Sequence, residues 1–288
     1  MIKPANRLAI WITGTGGLIG NQLVQLAPRF APDYHAIGLT RASLDLLNAD
    51  AVRQTFREQQ PAAIIHCAAM TRTQDCETNP ALARKSNIET TALLAELAAD
   101  IPFIFFSTDL VFDGCKGNYI ETDAVNPVSI YAETKVAAER IVLANPRHLV
   151  IRTSLNGGIS PTGDRGFNEQ IRNAWQRGQT LSFFTDEFRS PIPAEATARA
   201  CWELLTTGAS GIFHVAGSEK LSRAKIGELL AHRYQHLNPK FEAISLKGYV
   251  GAPRSPDTSL NSDKVGRQIS FTLLGLSRFL VGNHLIPF

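Results

Sequence analysis

Short apolar segments alternate with amphipathic ones along the first half of the chain, and this alternation predicts a repeated strand–helix order. The apolar segments predict strands that are buried in a sheet, at residues 8–13, 34–39, 62–67, 102–107 and 148–153. Segments with apolar residues at helical spacing predict helices at residues 18–26, 49–59, 80–99 and 127–143. We expect Asn126 to be the N-cap of the last helix, with Pro127 in its first turn.

This order is typical of an α/β fold, with a doubly wound parallel sheet of the Rossmann type. We assign residues 1–153 and 180–207 to this domain, because 181–184 and 194–205 resemble one more strand and helix of the same sheet. Residues 154–179 and 208–288 then form a smaller C-terminal substrate lobe. We expect it to contain a strand at 211–215 and a helix at 222–232.

Composition excludes several classes of protein. The 288 residues are 44% hydrophobic and 19% charged, which argues against disorder and coiled coil. The net charge of +3, without a basic run, gives no reason to expect a nucleic-acid partner. The longest nearly apolar stretch, 62–70, is far below the ~18 residues of a membrane span. Four scattered cysteines and no secretion signal predict a reduced, cytoplasmic protein, and seven scattered histidines predict no metal site.

A glycine-rich loop separates the first predicted strand from the first predicted helix. Gly14, Gly17 and Gly20 form a GxxGxxG pattern after Thr13. Glycines at this point permit a tight turn and a close approach of the backbone to a pyrophosphate, which then lies at the N-terminus of the helix. In this strand–turn–helix context, the pattern predicts a dinucleotide-binding site.

The residues that follow the second strand favour one form of the cofactor. An acidic residue ~20 positions after the glycine loop would bind the ribose hydroxyl of NAD. The chain instead has Thr40 and Arg41 there, and an arginine suits a 2′-phosphate. We therefore expect NADP(H), with NAD(H) as the second option.

Tyr131 and Lys135 form a YxxxK pair on a predicted helix, so both side chains lie on one face. We expect the ammonium to lower the pKa of the phenol, which could then give a proton to a carbonyl oxygen. Thr108 lies at the end of a predicted strand, where α/β sheets bind ligands, and its hydroxyl could hold that oxygen.

These motifs together resemble the dTDP-4-dehydrorhamnose reductase family of extended short-chain dehydrogenases/reductases. The resemblance rests on ITGTGGLIG (12–20), STDLVFDG (107–114), the YxxxK pair and further segments over nearly the whole chain. It implies that Thr108, Tyr131 and Lys135 are catalytic. It also implies that the cofactor is bound by Tyr131, Lys135, Gly14, Gly17, Leu18, Ile19, Asp45, Leu46, Cys67, Ala68, Ala69 and Asn87, in addition to Arg41.

The same resemblance implies that a nucleotide-linked 4-keto-6-deoxy sugar is the substrate, reduced by NADPH with a proton from Tyr131. The expected substrate-binding residues are Met70, Arg72, Ser154, Arg189 and Arg254, with the three arginines as candidates for the diphosphate. The family usually has an aromatic pair and glycine where this chain has residues 155–158, LNGG, which leaves the identity of the sugar open.

Other functions within the superfamily are weighed against reduction. Dehydratases carry Asp-Glu after the threonine, whereas Asp109 is followed by Leu110 here, which argues against water elimination. A non-catalytic NADP-binding regulatory subunit, similar to the methionine adenosyltransferase β subunit, is the main alternative. A sugar-nucleotide epimerase is a third. Extended relatives often pair through the helices at 80–99 and 127–143, so we expect a homodimer.

Overall fold

The structure is a computed structural model that describes residues 7–282. Its strands, in chain order, are β1 (Leu8–Thr13), β2 (Tyr34–Leu39), β3 (Ala63–His66), β4 (Phe103–Thr108), β5 (Leu149–Thr153), β6 (Asn156–Gly157), β7 (Thr180–Phe184), β8 (Phe188–Arg189), β9 (Ile192–Pro193), β10 (Gly211–Val215), β11 (Leu221–Ser222) and β12 (Lys240–Ile244).

Eleven α-helices lie within the same residues. They are α1 (Leu18–Phe30), α2 (Ala49–Gln59), α3 (Thr73–Thr78), α4 (Pro80–Arg84), α5 (Thr90–Leu97), α6 (Ile130–Leu143), α7 (Phe167–Gln176), α8 (Ala194–Thr206), α9 (Arg223–Arg233), α10 (Asp263–Gly266) and α11 (Leu276–Gly282). Among these residues, no helix is both long and apolar enough to cross a membrane.

Six parallel strands form the central sheet, in the order β2-β1-β3-β4-β5-β10. Every residue of β3, β4 and β5 is buried, because helices cover both faces of the sheet. Leu23 and Trp202 belong to the core on one face, and Val52 and Leu94 to the core on the other. The predicted α/β fold with a doubly wound parallel sheet is confirmed.

The sixth strand of this sheet is not the one that the sequence predicts. The expected strand at 181–184 corresponds to β7, which pairs with β12 in a separate two-stranded sheet. The strand assigned to the lobe, β10, pairs with β5 and completes the central sheet. Burial explains the exchange, because Thr180 and Ser182 leave one face of β7 exposed, whereas Phe213, His214 and Val215 of β10 are buried.

Two helices differ in the structure from their predicted bounds. The helix expected at 80–99 consists of α4, a π-helical turn at Lys85–Glu89 and α5. The helix expected from 127 begins at Ile130, and its N-cap is Ser129, whose hydroxyl accepts a hydrogen bond from the Ala132 amide at 3.3 Å. Asn126 is therefore not the cap. Its side chain donates to Asp113 at 3.0 Å instead.

A further apolar cluster lies outside the central sheet, between α7, β7, α9 and α11. Its buried members include Trp175, Phe183, Leu230 and Leu276. Gly227 of α9 permits this packing, since a Cβ atom there would lie 2.3 Å from the ring of Phe183. The predicted helix at 222–232 matches α9, with Ser222 as its N-cap.

Candidate active site

The glycine loop makes its turn at the carboxyl end of β1. Gly14 has a φ of +72°, and a Cβ atom there would lie 2.7 Å from the backbone nitrogen of Ala68. A Cβ atom on Gly20 would meet the carbonyl oxygen of Gly14 at 2.6 Å. Gly17 is the N-cap residue of α1 and offers no capping side chain. The first-turn amides, including those of Leu18 and Ile19, are therefore available to an anionic ligand.

The loop after β3 lies against this turn. The Thr13 hydroxyl accepts hydrogen bonds from the amides of Cys67 and Ala68, both at 3.2 Å. It also contacts Nδ1 of His66 at 2.7 Å. Cys67, Ala68 and Ala69 are half-buried, and their small side chains leave room beside the glycine loop. Burial raises the pKa of the Cys67 thiol, which suits a packing role for this residue. This cradle of small residues and free amides fits a dinucleotide.

Tyr131 and Thr108 meet beside that cradle. Tyr131 lies in the first turn of α6 and is only 7% exposed. Thr108, the last residue of β4, is a close neighbour of the phenol and acts to lower its pKa. Burial and then the charge of Asp109 raise the pKa of the phenol. The expectation that Lys135 lowers this pKa is wrong for the structure, because burial raises it and the Lys135 ammonium is bonded to the carbonyl oxygen of Phe106 instead.

Lys135 is buried one turn further along α6. Its ammonium donates to the carbonyl oxygen of Phe106 at 2.6 Å and lies 3.9 Å from the centre of the Phe105 ring. Burial lowers its pKa to about 7, although the carboxylate of Glu139 acts in the opposite direction. Glu139 is itself held by Arg152 through two hydrogen bonds, at 3.0 and 2.7 Å. Lys135 can therefore exchange a proton near neutral pH.

Asn87 connects α6 to the loop that follows β3. It lies in the π-helical turn, and its carboxamide accepts from the Met70 amide at 2.8 Å. The same carboxamide donates to the Met70 carbonyl at 3.0 Å and to the Thr134 hydroxyl at 2.9 Å. These bonds direct Asn87 to the protein itself, so any effect on a cofactor passes through the loop. The Met70 side chain packs against the cluster that contains Tyr131.

Arg189 is not an open anion-binding residue. Its guanidinium donates hydrogen bonds to both carboxylate oxygens of Asp109, at 2.6 and 2.5 Å, and both side chains are buried. Ser154, another residue expected to bind substrate, donates to the same carboxylate at 2.6 Å. The structure thus uses two of the expected substrate-binding residues to hold Asp109.

A cavity of about 240 Å³ lies between α7, β7 and α9. Phe167, Phe184, Arg223 and Arg254 are among its lining residues. Arg254 donates to Glu187 at 2.8 Å, and its guanidinium lies 4.9 Å from the centre of the Phe184 ring. Aromatic rings and guanidinium groups together suit a ligand that combines a flat ring with phosphate.

Arg223 also lines this cavity, although the sequence did not predict it as a site residue. Burial lowers its pKa to about 10, and the charges of Arg189 and Arg254 act in the same direction. Its Nη1 atom is buried without a hydrogen-bond partner within residues 7–282. The sequence contains no signal that Arg223 is buried at a cavity, because an arginine after a serine N-cap is typical of an ordinary exposed helix.

The other predicted residues lie nearer the surface. Arg41 is exposed, in a turn where the Thr40 amide donates to the Ser43 hydroxyl at 2.8 Å. Asp45 is also exposed and accepts from the Leu47 amide at 3.1 Å, whereas Leu46 packs against the core. Arg72 is exposed at the start of α3.

Comparison with known proteins agrees with this geometry. The family model described as the RmlD substrate binding domain matches residues 8–275. A probable low-salt glycan biosynthesis reductase of Haloferax volcanii is 33% identical, over 76% of this chain and 77% of its own. A dTDP-4-dehydrorhamnose reductase of Sinorhizobium fredii is 30% identical over 93% of both chains. The methionine adenosyltransferase 2 subunit beta of Danio rerio is 28% identical, over 93% of this chain and 85% of its own.

Solved structures show the same fold. A hypothetical dTDP-4-dehydrorhamnose reductase from Sulfolobus tokodaii superposes with a TM-score of 0.82 at 29% identity, covering 93% of this chain and 97% of its own. A dTDP-4-dehydrorhamnose reductase from Bacillus anthracis, in complex with NADP, has a TM-score of 0.86 at 22% identity, covering 96% and 98%.

Proposed function

The chain belongs to the RmlD substrate binding domain family, which makes it an NAD(P)-dependent oxidoreductase, and we propose that it reduces a nucleotide-linked 4-keto-6-deoxy sugar with NADPH. The observation that carries this proposal is the placement of two buried hydroxyl groups, Thr108 at the carboxyl end of β4 and Tyr131 in the first turn of α6. A buried phenol at the carboxyl end of a parallel sheet, next to a dinucleotide cradle, is suited to carbonyl reduction.

The chain's own residues account for the proton in this reaction. NADPH, when bound in the cradle, would supply a hydride to the carbonyl carbon. Tyr131 gives its phenolic proton to the carbonyl oxygen, so that hydride and proton together convert C=O to CH–OH. The raised pKa keeps the phenol protonated until the oxygen gains negative charge, which suits a general acid. Thr108 lies next to the phenol, and we assign Lys135, one turn further along α6 with a pKa of about 7, to the same catalytic group.

Three features support NADPH as the cofactor. Gly14 and the uncapped start of α1 fit the pyrophosphate. Arg41 is exposed just after β2, where a 2′-phosphate would be within reach of a guanidinium. The Bacillus anthracis protein of the same fold was solved with NADP. We keep NAD(H) as the second cofactor, because Gly14 and the start of α1 suit the pyrophosphate of either form.

The cavity beside α9 supports a nucleotide-linked substrate. Phe167 and Phe184 offer aromatic surface for a base, and Arg223 and Arg254 offer positive charge for the diphosphate. Arg72 stays a candidate for the same phosphates, whereas Arg189 is committed to Asp109. Met70 and Ser154 would lie near the sugar end, close to Tyr131 and Asp109 respectively.

The state of Asp109 supports reduction over water elimination. A dehydratase needs a carboxyl group at this point that exchanges protons with the substrate. Asp109 is fully buried, and both of its oxygens are bonded to Arg189. Since both oxygens already accept hydrogen bonds from Arg189, and Oδ2 also accepts one from Ser154, the carboxylate is held by the protein and turned away from a substrate.

The test is a reductase assay with a small panel of nucleotide-linked 4-keto-6-deoxyhexoses. We expect NADPH oxidation that depends on the sugar, and a loss of at least about 10³-fold in Tyr131→Phe. Thermal unfolding of the variant in the presence of NADP⁺ checks that it still folds and binds cofactor. Full activity in Tyr131→Phe would rule out the phenol as the acid.

A regulatory subunit is the second candidate function. The observation that favours it is the similarity to methionine adenosyltransferase β subunits of several vertebrates, at 26–28% identity. Mixing the purified chain with a methionine adenosyltransferase catalytic subunit tests it. A stoichiometric complex on size-exclusion chromatography, together with no turnover across the sugar panel, would favour this function over reduction. Tightly bound NAD⁺ in the purified protein would instead favour the epimerase.

A further inference from the structure

Asp109 is the most heavily bonded side chain at the site. Its Oδ1 accepts from Arg189 at 2.5 Å and from the Thr108 hydroxyl at 3.1 Å. Its Oδ2 accepts from Arg189 at 2.6 Å, from Ser154 at 2.6 Å and from Thr258 at 3.4 Å. The carboxylate is 0% exposed.

These partners come from separate parts of the chain. Thr108 ends β4 and Ser154 follows β5, so both belong to the central sheet. Arg189 lies in β8, which pairs with β11 at the start of α9. Thr258 donates its backbone amide to Phe188 of the same strand at 3.2 Å. Asp109 thus joins the end of the central sheet to the segments that carry the cavity arginines.

The Thr108 hydroxyl has one proton and two lone pairs. Its proton is directed at Asp109, and one lone pair accepts from the Leu110 amide at 3.2 Å. These two bonds hold the hydroxyl in a single orientation, close to the phenol of Tyr131. Without the carboxylate, the hydroxyl could rotate, and the phenol would lose a fixed neighbour.

We propose, on the basis of the function proposed above, that Asp109 is a positioning residue. Clamped by Arg189, it fixes the hydroxyl of Thr108 in one orientation beside the phenol of Tyr131. The ion pair of Asp109 and Arg189 also couples the position of the β8–β11 segment to the Thr108 hydroxyl. Asp109 touches neither the substrate nor the cofactor in this account, and its effect on turnover passes through Thr108.

A double-mutant cycle tests the route through Thr108. Asp109→Asn should lower kcat by about 10- to 100-fold, as Thr108→Val does, with less than about a threefold change in KM. The double variant Asp109→Asn/Thr108→Val should lose no more than the Thr108→Val variant alone. Multiplying losses would show that Asp109 acts independently of Thr108 and would overturn the proposal. Glu203→Gln, which alters an ion pair with Arg199 elsewhere, is the matched control with kcat unchanged.

A second variant separates positioning from the cost of an unpaired arginine. Asp109→Asn leaves the Arg189 charge without its partner, so the protein could lose activity by partial unfolding. Asp109→Asn/Arg189→Met removes both charges while keeping side-chain length. We expect the loss of kcat to persist in this variant, since the neutral carboxamide oxygen is a weaker acceptor for the Thr108 hydroxyl and Arg189 no longer holds it in place. Recovery of kcat would show that the stranded charge caused the loss, and would overturn the proposal.

Titration of Tyr131 gives a readout that needs no substrate. The Asp109 charge raises the pKa of the phenol and Arg189 lowers it. In Asp109→Asn we therefore expect the phenol to titrate at lower pH, followed by NMR of ¹³C-labelled tyrosine with Tyr131→Phe for assignment. Because Thr108 lowers this pKa, release of its hydroxyl should offset part of the shift, so the shift caused by Asp109→Asn should be larger in a Thr108→Val background. Equal shifts in the two backgrounds would show that Asp109 acts on the phenol by charge alone and would overturn the proposal. The expected difference without turnover would instead contradict the proposed function alone.

Discussion

The glycine-loop cradle and the cavity beside α9 are built in different ways. The cradle is built from backbone: a left-handed glycine at Gly14, the free amides at the start of α1, and the small residues after β3. The cavity is lined by side chains, and its arginines belong to a charge network in which Arg254 is paired with Glu187 and the neighbouring Arg189 with Asp109. Backbone geometry is encoded locally, whereas the charge network depends on contacts between residues far apart in the chain.

This difference has a consequence for mutation. A change in the cradle should affect the cofactor and leave the remainder of the fold nearly intact. A change in the charge network should strand a buried partner, and so reduce stability together with binding. The following predictions test this contrast, from the largest effect to the smallest.

Arg189→Met should produce the largest loss of stability. It leaves the buried Asp109 carboxylate without its bidentate partner, which costs about 3–5 kcal/mol in the free energy of unfolding. Arg254→Met is the matched control, because Arg254 is 39% exposed and Glu187 keeps Arg189 as a cationic neighbour at 4.0 Å, so the cost should be about 1 kcal/mol. Urea denaturation of both variants measures the two values. Equal losses would contradict the contrast between buried and open arginines.

Gly14→Ala should abolish NADPH binding and cost about 1–3 kcal/mol of stability. A Cβ atom there would lie 2.7 Å from the Ala68 nitrogen, at a φ that alanine rarely adopts. Gly16→Ala is the control in the same loop, since a Cβ atom at Gly16 meets no heavy atom within 4 Å among the described residues. Calorimetric titration with NADPH compares them. Normal binding by Gly14→Ala would mean that the cofactor does not approach this backbone.

Arg41→Ala should weaken NADPH binding by about tenfold, or ~1.4 kcal/mol, with little effect on NADH. The exposed guanidinium is expected to contact only the 2′-phosphate, which NADH lacks. Dissociation constants for both cofactors, measured with wild type and variant, test the prediction. A parallel loss for NADH would assign Arg41 a general structural role.

Asp113→Asn should have the smallest effect, and that effect should depend on pH. Hydrogen bonds from the Cys115 amide, Asn126 and Tyr119 lower the pKa of Asp113 to about 2. The folded-state pKa lies below the unfolded value near ~4, so the carboxylate stabilises the protein above pH ~4. That contribution is lost as the pH falls from about 4 to 2. The variant should be less stable by on the order of 1 kcal/mol at pH 7, and the difference should vanish at low pH.

The sequence predicts the parts of the site that depend on local spacing. The glycine loop, the strand that ends at Thr108 and the helix that carries Tyr131 are each defined within a few residues. It could not reveal that Arg189 is paired, because Asp109 lies 80 positions away. It also misassigned β7 and β10, since an alternating segment specifies a half-buried strand but not its sheet. The raised pKa of Tyr131 depends on burial, which the YxxxK spacing does not show.

Reduction at this site can be followed directly with NADPH that carries deuterium at C4, on the face from which the hydride leaves. The measurement is the transfer of that deuterium to the sugar. With a nucleotide-linked 4-keto-6-deoxyhexose, the account predicts one deuterium at C4 of the product, one NADP⁺ released for each product, and neither with Tyr131→Phe. A product without deuterium, or a sugar converted with no net oxidation of NADPH, would contradict reduction at this site.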